Sequence, residues 1–198
     1  MTKRRQARRI GIFGGTFDPI HCGHLIAAEE IREKLGLEKI YFVTSANPPH
    51  KRTRKLISAG HRHEMVRRAI KGNAYFELSD SEMGRSGFSY TIDTIADFKM
   101  RFGARTEIFF VAGSDSITGL SKWKGINKLL SSCVFVVLKR PGFFPWISKK
   151  LEKRILPVKI HGIDISSTEI KKKIREGKSI KHLVPYAVER YIYEKKLY

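Results

Sequence analysis

A glycine pair set between an apolar tetrapeptide and a helical stretch constrains this chain more than any other feature. Ile10-Gly11-Ile12-Phe13 reads as a buried strand, residues 25–35 read as a helix, and Gly14-Gly15-Thr16-Phe17-Asp18-Pro19-Ile20-His21-Cys22-Gly23-His24 joins them. A strand that passes through a glycine-rich turn into a helix N-terminus is where α/β folds hold phosphates. Gly14 and Gly15 let backbone approach a ligand closely, and the first helical turn offers N–H groups and the positive end of its dipole. His21 and His24, three residues apart at the helix start, can face the same way and donate imidazole N–H bonds to phosphate oxygens. Such a site needs no nucleophilic side chain when the substrate brings its own, because positioning and charge neutralisation carry the reaction.

The same alternation continues downstream. Strands are expected near 10–13, 40–43, 109–112 and 134–138, with helices near 27–35, 61–70 and 90–100 between them and a closing helix near 185–192. Right-handed crossovers then give a Rossmann-like, doubly wound α/β fold, mostly parallel, with helices on both faces. With 198 residues and 41% hydrophobic content, one sizeable core is expected in a single domain spanning 1–198. Residues 1–8 read as a basic arm, and Lys3, Arg4, Arg5, Arg8 and Arg9 are expected to be solvated before the first strand.

Plainer readings exist for each feature. Gly-Gly after a strand also makes an ordinary turn. His21, Cys22 and His24 suggest a metal cluster, but Cys133 is the only other cysteine and there is no Cys-x-x-Cys spacing. His61 and His63 are expected on the exposed face of an amphipathic helix, with no task assigned to them.

The run from Gly14 to His24 resembles the signature of nucleotidylyltransferases that share a His-x-Gly-His element, and specifically the bacterial nicotinate-mononucleotide adenylyltransferases. A second element, Ile165-Ser166-Ser167-Thr168-Glu169-Ile170-Lys171, is similar to that family's Ile-Ser-Ser/Thr-x-Ile-Arg and follows an expected strand at 158–161. Ser167 or Thr168 suits the N-cap of a helix that stops near Gly177. Lys171 departs from the family's arginine, keeping the charge but losing the bidentate fork, and Lys172 or Lys173 can share its task. The resemblance implies that His21, His24 and Lys171 are catalytic. It also implies that Gly14, Gly15, Thr16, Phe17, Gly23, Gly113, Asp115, Ser166, Ser167 and Thr168 bind ATP.

Three middle segments extend the likeness. Asn47-Pro48-Pro49-His50-Lys51 is a stiff loop after a strand, and the family pattern makes His50 and Lys51 binders of the nicotinate-mononucleotide phosphate. Ser89-Tyr90-Thr91 opens a helix with Ser89 or Thr91 as cap, and by resemblance Thr91 lies beside the pyridine carboxylate. The strand at 108–112 ends in Gly113-Ser114-Asp115, which places Gly113 and Asp115 toward the ligand crevice of an open parallel sheet. Trp123 offers a flat face for the pyridine ring, or fills the core.

The implied reaction is adenylyl transfer from ATP to nicotinate mononucleotide, giving deamido-NAD and pyrophosphate in NAD synthesis, with Mg²⁺ held by substrate phosphates rather than by a protein metal site. Phosphopantetheine or nicotinamide-mononucleotide transferases are the alternatives in the same class. The net charge of +20 makes a basic nucleic-acid-binding protein the rival from another class, but no helix-turn-helix, RNA-binding aromatic motif or zinc finger accompanies it. No apolar stretch approaches the roughly 18 residues of a membrane span and no signal-peptide pattern is present, so a cytoplasmic protein without a membrane partner is expected, with room for a homo-oligomer.

Overall fold

A computed structural model describes residues 7–49, 56–113, 119–139, 149–161 and 164–198. The chain runs β1 (Arg9–Gly15), α1 (Cys22–Lys34), β2 (Lys39–Thr44), α2 (Ala59–Ile70), β3 (Phe76–Ser79), α3 (Thr91–Phe102) and β4 (Glu107–Gly113). A 3₁₀ turn (Leu120–Lys122) leads to α4 (Ile126–Ser132), β5 (Val134–Lys139), α5 (Lys149–Glu152), β6 (Ile155–Lys159), α6 (Ser167–Arg175) and α7 (Tyr186–Glu194). Among the described residues six strands form one sheet in the order β3-β2-β1-β4-β5-β6, every pairing parallel. This is the Rossmann-like α/β arrangement that the alternation implies.

Period-2 alternation assigns each strand residue to one of two cores. Phe13, Phe42, Phe109, Val111 and Val136 face α1, α2, α6 and α7, where Ile31, Met65, Ile170 and Val188 meet them. Ile12, Tyr41, Phe110, Phe135 and Val137 face the other way, onto Ile95 and Phe98 of α3, Leu129 of α4 and Leu151 of α5. On α3 the core-facing residues Ile92, Ile95, Phe98 and Phe102 have the spacing of one helical face, and Gly103 ends the helix at φ 83. Ile95 and Phe98 are fully buried, each a contribution of roughly 1.5–3 kcal/mol.

β3, α4 and α5 carry too few residues for a periodic signal in the sequence. The strand expected at 158–161 lies at Ile155–Lys159, where Pro157 is tolerated because β6 is the sheet edge. Arg8 and Arg9 stay part-exposed and pair with Glu38 and Glu107, each at 3.1 Å, and Arg9 opens β1 instead of preceding it. Among the described residues no helix is long and apolar enough to cross a membrane.

Parallel register brings all the strand C-termini to one edge, with Gly15 beside Thr44 and Gly113 beside Leu138. β1 sits where the strand order reverses, between β2 and β4, and the crevice of such a sheet opens there. The first glycine motif is at the end of β1.

Candidate active site

His21 turns β1's loop into α1. It occupies the N-cap with extended backbone, is 2% exposed, and its ring stacks on that of His24 with centroids 3.7 Å apart and planes at 28°. His24 Nδ1 accepts the backbone N–H of His21 at 3.2 Å, so in the neutral ring its proton lies on Nε2, a hydrogen-bond donor. The helix starts earlier than the apolar pattern suggests because this contact caps it, at residues that carry no hydrophobic period.

Phe17 supports the pair. At φ 50 and 3% exposure, its ring lies edge-on to His24 at 5.2 Å and to Phe13 at 6.1 Å. A Cβ on Gly15 would come within 2.7 Å of that ring, and one on Gly14 within 3.0 Å of Phe110. The missing side chains therefore admit the rings of Phe17 and Phe110. The first helical turn is also less open than an isolated helix start. Cys22 N–H goes to the Leu183 carbonyl and His24 N–H to that of His21, both at 2.9 Å, while the Gly23 amide is taken by neither.

The second motif docks on the first. Ser167 Oγ donates to the Pro19 carbonyl at 2.8 Å, and Lys171 Nζ lies 2.8 Å from Asp18 Oδ2. Tyr198 donates its hydroxyl to Asp18 Oδ1 at 2.9 Å, and burial, reinforced by that carboxylate, holds the phenol well above its usual range. The cap of α6 is Ser166, whose Oγ accepts the Glu169 N–H at 3.1 Å, not Ser167 or Thr168. Ser167 is already helical and spends its hydroxyl on Pro19; Thr168 is exposed. Lys172 reaches Glu176 instead of the first motif.

A second group gathers at the ends of β2 and β3. Asn47 receives and donates across the loops: its N–H goes to Ser89 Oγ (3.1 Å), its Nδ2 to the Gly87 carbonyl (3.1 Å), and its carbonyl accepts the Ser89 N–H (3.0 Å). Ser89 therefore holds Asn47 rather than capping α3, whose N-cap is Tyr90 with Thr91 as first helical residue. Lys124 stands 4.3 Å over the Tyr90 ring and 3.5 Å from Asp93, which brings the segment containing Trp123 beside this helix start. Trp123 is half-buried and edge-on to Phe110 and Phe135, at 6.4 and 5.8 Å. Gly113 ends β4 next to β1; His50, Lys51 and Asp115 lie outside the described residues.

The two histidines of α2 are engaged, contrary to expectation. His61 Nδ1 is 2.8 Å from the Tyr191 hydroxyl and His63 Nε2 is 2.7 Å from Asp80. Between them Arg62 is buried and bonded to four backbone carbonyls, a placement that no local pattern announces. Among the described residues no group of three or more His, Cys, Asp or Glu comes together as a metal cage. Burial raises the Cys22 thiol and pushes Cys133 up to about 12, so both stay protonated at neutral pH and neither is a thiolate nucleophile.

Against this geometry, a family model described as cytidylyltransferase-like matches residues 12–173. The probable nicotinate-nucleotide adenylyltransferase of Moorella thermoacetica is 41% identical over 198 residues, covering 96% of this chain and 91% of its own. That of Desulfitobacterium hafniense is 42% identical, covering 96% of each chain. Plasmodium falciparum nicotinic acid mononucleotide adenylyltransferase, solved in complex with NaAD, shares the fold with a TM-score of 0.79 at 24% identity, over 96% of this chain and 97% of its own.

Proposed function

The chain belongs to the cytidylyltransferase-like family, and from that premise we propose that it transfers the adenylyl group of ATP to nicotinate mononucleotide, giving deamido-NAD and pyrophosphate. The observation that carries the reading is the stacked His21–His24 pair at the β1–α1 turn with Lys171 docked beside it through Asp18. A phosphate oxygen of the mononucleotide attacks the α-phosphorus of ATP, a new P–O bond forms, and the bond to the β-phosphate oxygen breaks as pyrophosphate leaves. The attacking group is already anionic, so the protein has no proton to remove. Its task is to align the two nucleotides and absorb charge.

In this reading His24 Nε2–H, His21, the Gly23 amide and the Lys171 ammonium take up that charge, together with Ser166, Ser167 and Thr168 at the start of α6. A divalent cation, Mg²⁺ in our reading, rides on the substrate phosphates, which suits an ion that retains several waters and needs few protein ligands. The mononucleotide lies toward Thr91 and Trp123, on the side where Asn47 joins the two loops.

Isotopic label separates this from hydrolysis. Label at the α-phosphorus of ATP is expected in the dinucleotide and label at the γ-phosphorus in pyrophosphate, in equal amounts. Release of γ-label as orthophosphate, with no dinucleotide formed, would refute the reading.

A further inference from the structure

Arg62 sits in the first turns of α2, and its side chain is 1% exposed. Burying a guanidinium costs several kcal/mol unless its N–H groups are satisfied. Here Nε donates to the Ile57 carbonyl at 3.1 Å, one terminal nitrogen donates to both Thr16 (2.8 Å) and Ser45 (2.7 Å), and the other donates to Ala46 (3.0 Å). All four acceptors are backbone carbonyls. Burial draws its pKa below the ordinary 12.5, and the carboxylates of Asp18 and Glu82 pull the other way. With so high a starting value the group stays charged at neutral pH.

The identity of the four carbonyls is what matters. Thr16 belongs to the loop that carries His21 and His24 into α1, whereas Ser45 and Ala46 belong to the loop that leads from β2 to Asn47 and its contacts with Gly87 and Ser89. One planar cation spans both loops. A second link, Ser45 N–H to the Gly15 carbonyl at 2.8 Å, ties them at the strand ends but does not reach Thr16 or Ala46. A guanidinium fixes orientation as well as distance, since its donors lie in one rigid plane; an ammonium cannot reproduce that pattern.

The geometry points to Arg62 as a positioning residue that sets the spacing between the ATP half of the site and the mononucleotide half. This rests on the function proposed above. In-line transfer requires the attacking oxygen about 3–3.5 Å from phosphorus, and a misplacement of about 1 Å costs on the order of 10²-fold in rate. Arg62 touches neither substrate; it acts through the two loops that do.

The test compares Arg62→Lys and Arg62→Met with the natural chain in binding ATP alone, nicotinate mononucleotide alone, and the dinucleotide product, which occupies both halves at once. The dinucleotide is expected to weaken about tenfold or more while each mononucleotide changes by less than about threefold, and kcat should fall on the order of 10²-fold with both KM values nearly kept. Arg62→Lys retains charge and most of the stem, so it is read if Arg62→Met does not fold. A role confined to stability would lower Tm and the folded fraction while leaving kcat per folded site and the affinity ratios intact, and that result would overturn the inference. So would failure of both variants to fold, or equal weakening of all three ligands. If the natural chain binds no dinucleotide, the functional reading itself falls, and this inference with it.

Discussion

Lys171 Nζ lies 2.8 Å from Asp18 Oδ2, so a lysine of α6 is held by a carboxylate of the β1–α1 loop 153 residues away. Asp18 is 4% exposed and its other oxygen accepts the Tyr198 hydroxyl, which leaves the carboxylate fully engaged. Removing one partner strands the other in a partly dry setting, at a cost of roughly 1–3 kcal/mol. Asp18→Asn should therefore lower stability by that amount, and the cycle with Lys171→Met should show a coupling of about 1 kcal/mol or more. Additive effects in chemical denaturation would show that the pair contributes nothing to the docking of α6.

The same lysine carries a kinetic expectation. Lys171→Ala should raise the KM for ATP, and Lys171→Arg should keep or improve activity, because a guanidinium can bind Asp18 and a phosphate oxygen at once. Identical steady-state kinetics for the alanine variant and the natural chain would remove Lys171 from the site.

On the proposed function, the donor at His24 Nε2 acts as charge develops on the leaving phosphates. His24→Ala should lower kcat by about 10² or more while ATP affinity changes much less. Ring stacking adds a cross-check: His21→Ala should affect both rate and binding, since the His21 ring is stacked on that of His24. An unchanged kcat for His24→Ala would exclude it from the chemistry.

Glu64 supplies a stability test that is independent of catalysis. Hydrogen bonds from Arg67 and Arg68 hold its carboxyl at about 2, below the ordinary 4.5. A depressed folded-state value adds stability above the unfolded-state pKa, and the addition disappears as pH falls through about 2. Solvent screening limits it to about 1 kcal/mol. Glu64→Gln should thus be less stable than the natural chain at pH 7, with the gap closing as pH falls below about 2; a gap that does not close with acid would assign the effect to packing.

Much of the scaffold was legible because the strands β1, β2, β4 and β5 are apolar runs and α1 to α3 carry a helical period. β3 was not, because four residues with only the end ones buried leave no pattern. His21 and His24 could be found because both lie in one local motif. Asp18, Arg62 and Tyr198 could not be assigned roles, since each acts through a partner that only the tertiary fold supplies, and an arginine between two polar residues on a helix looks like a solvated face. The cap of α6 was placed one or two residues late for a related reason: three consecutive hydroxyl residues all suit the position, and the choice was made by Ser167 bonding Pro19.

Trp123 packs against the core and, on the proposed function, faces the pyridine ring, so both readouts should move. Its edge-on contacts with Phe110 and Phe135 predict that Trp123→Ala loses about 3 kcal/mol of stability. The protein that remains folded should show a KM for nicotinate mononucleotide raised roughly tenfold, with a much smaller change for ATP. Trp123→Phe should recover part of both. A stability loss without selective change in KM would make Trp123 a core residue only.

The central claim is the identity of the two substrates, and pyrophosphate release from ATP with each candidate acceptor in turn tests it most directly. Nicotinate mononucleotide should support release with stoichiometric deamido-NAD, while phosphopantetheine should support none and the nicotinamide nucleotide should be the poorer pyridine substrate. Turnover with phosphopantetheine, preference for the amide, or no acceptor-dependent release at all would contradict the account.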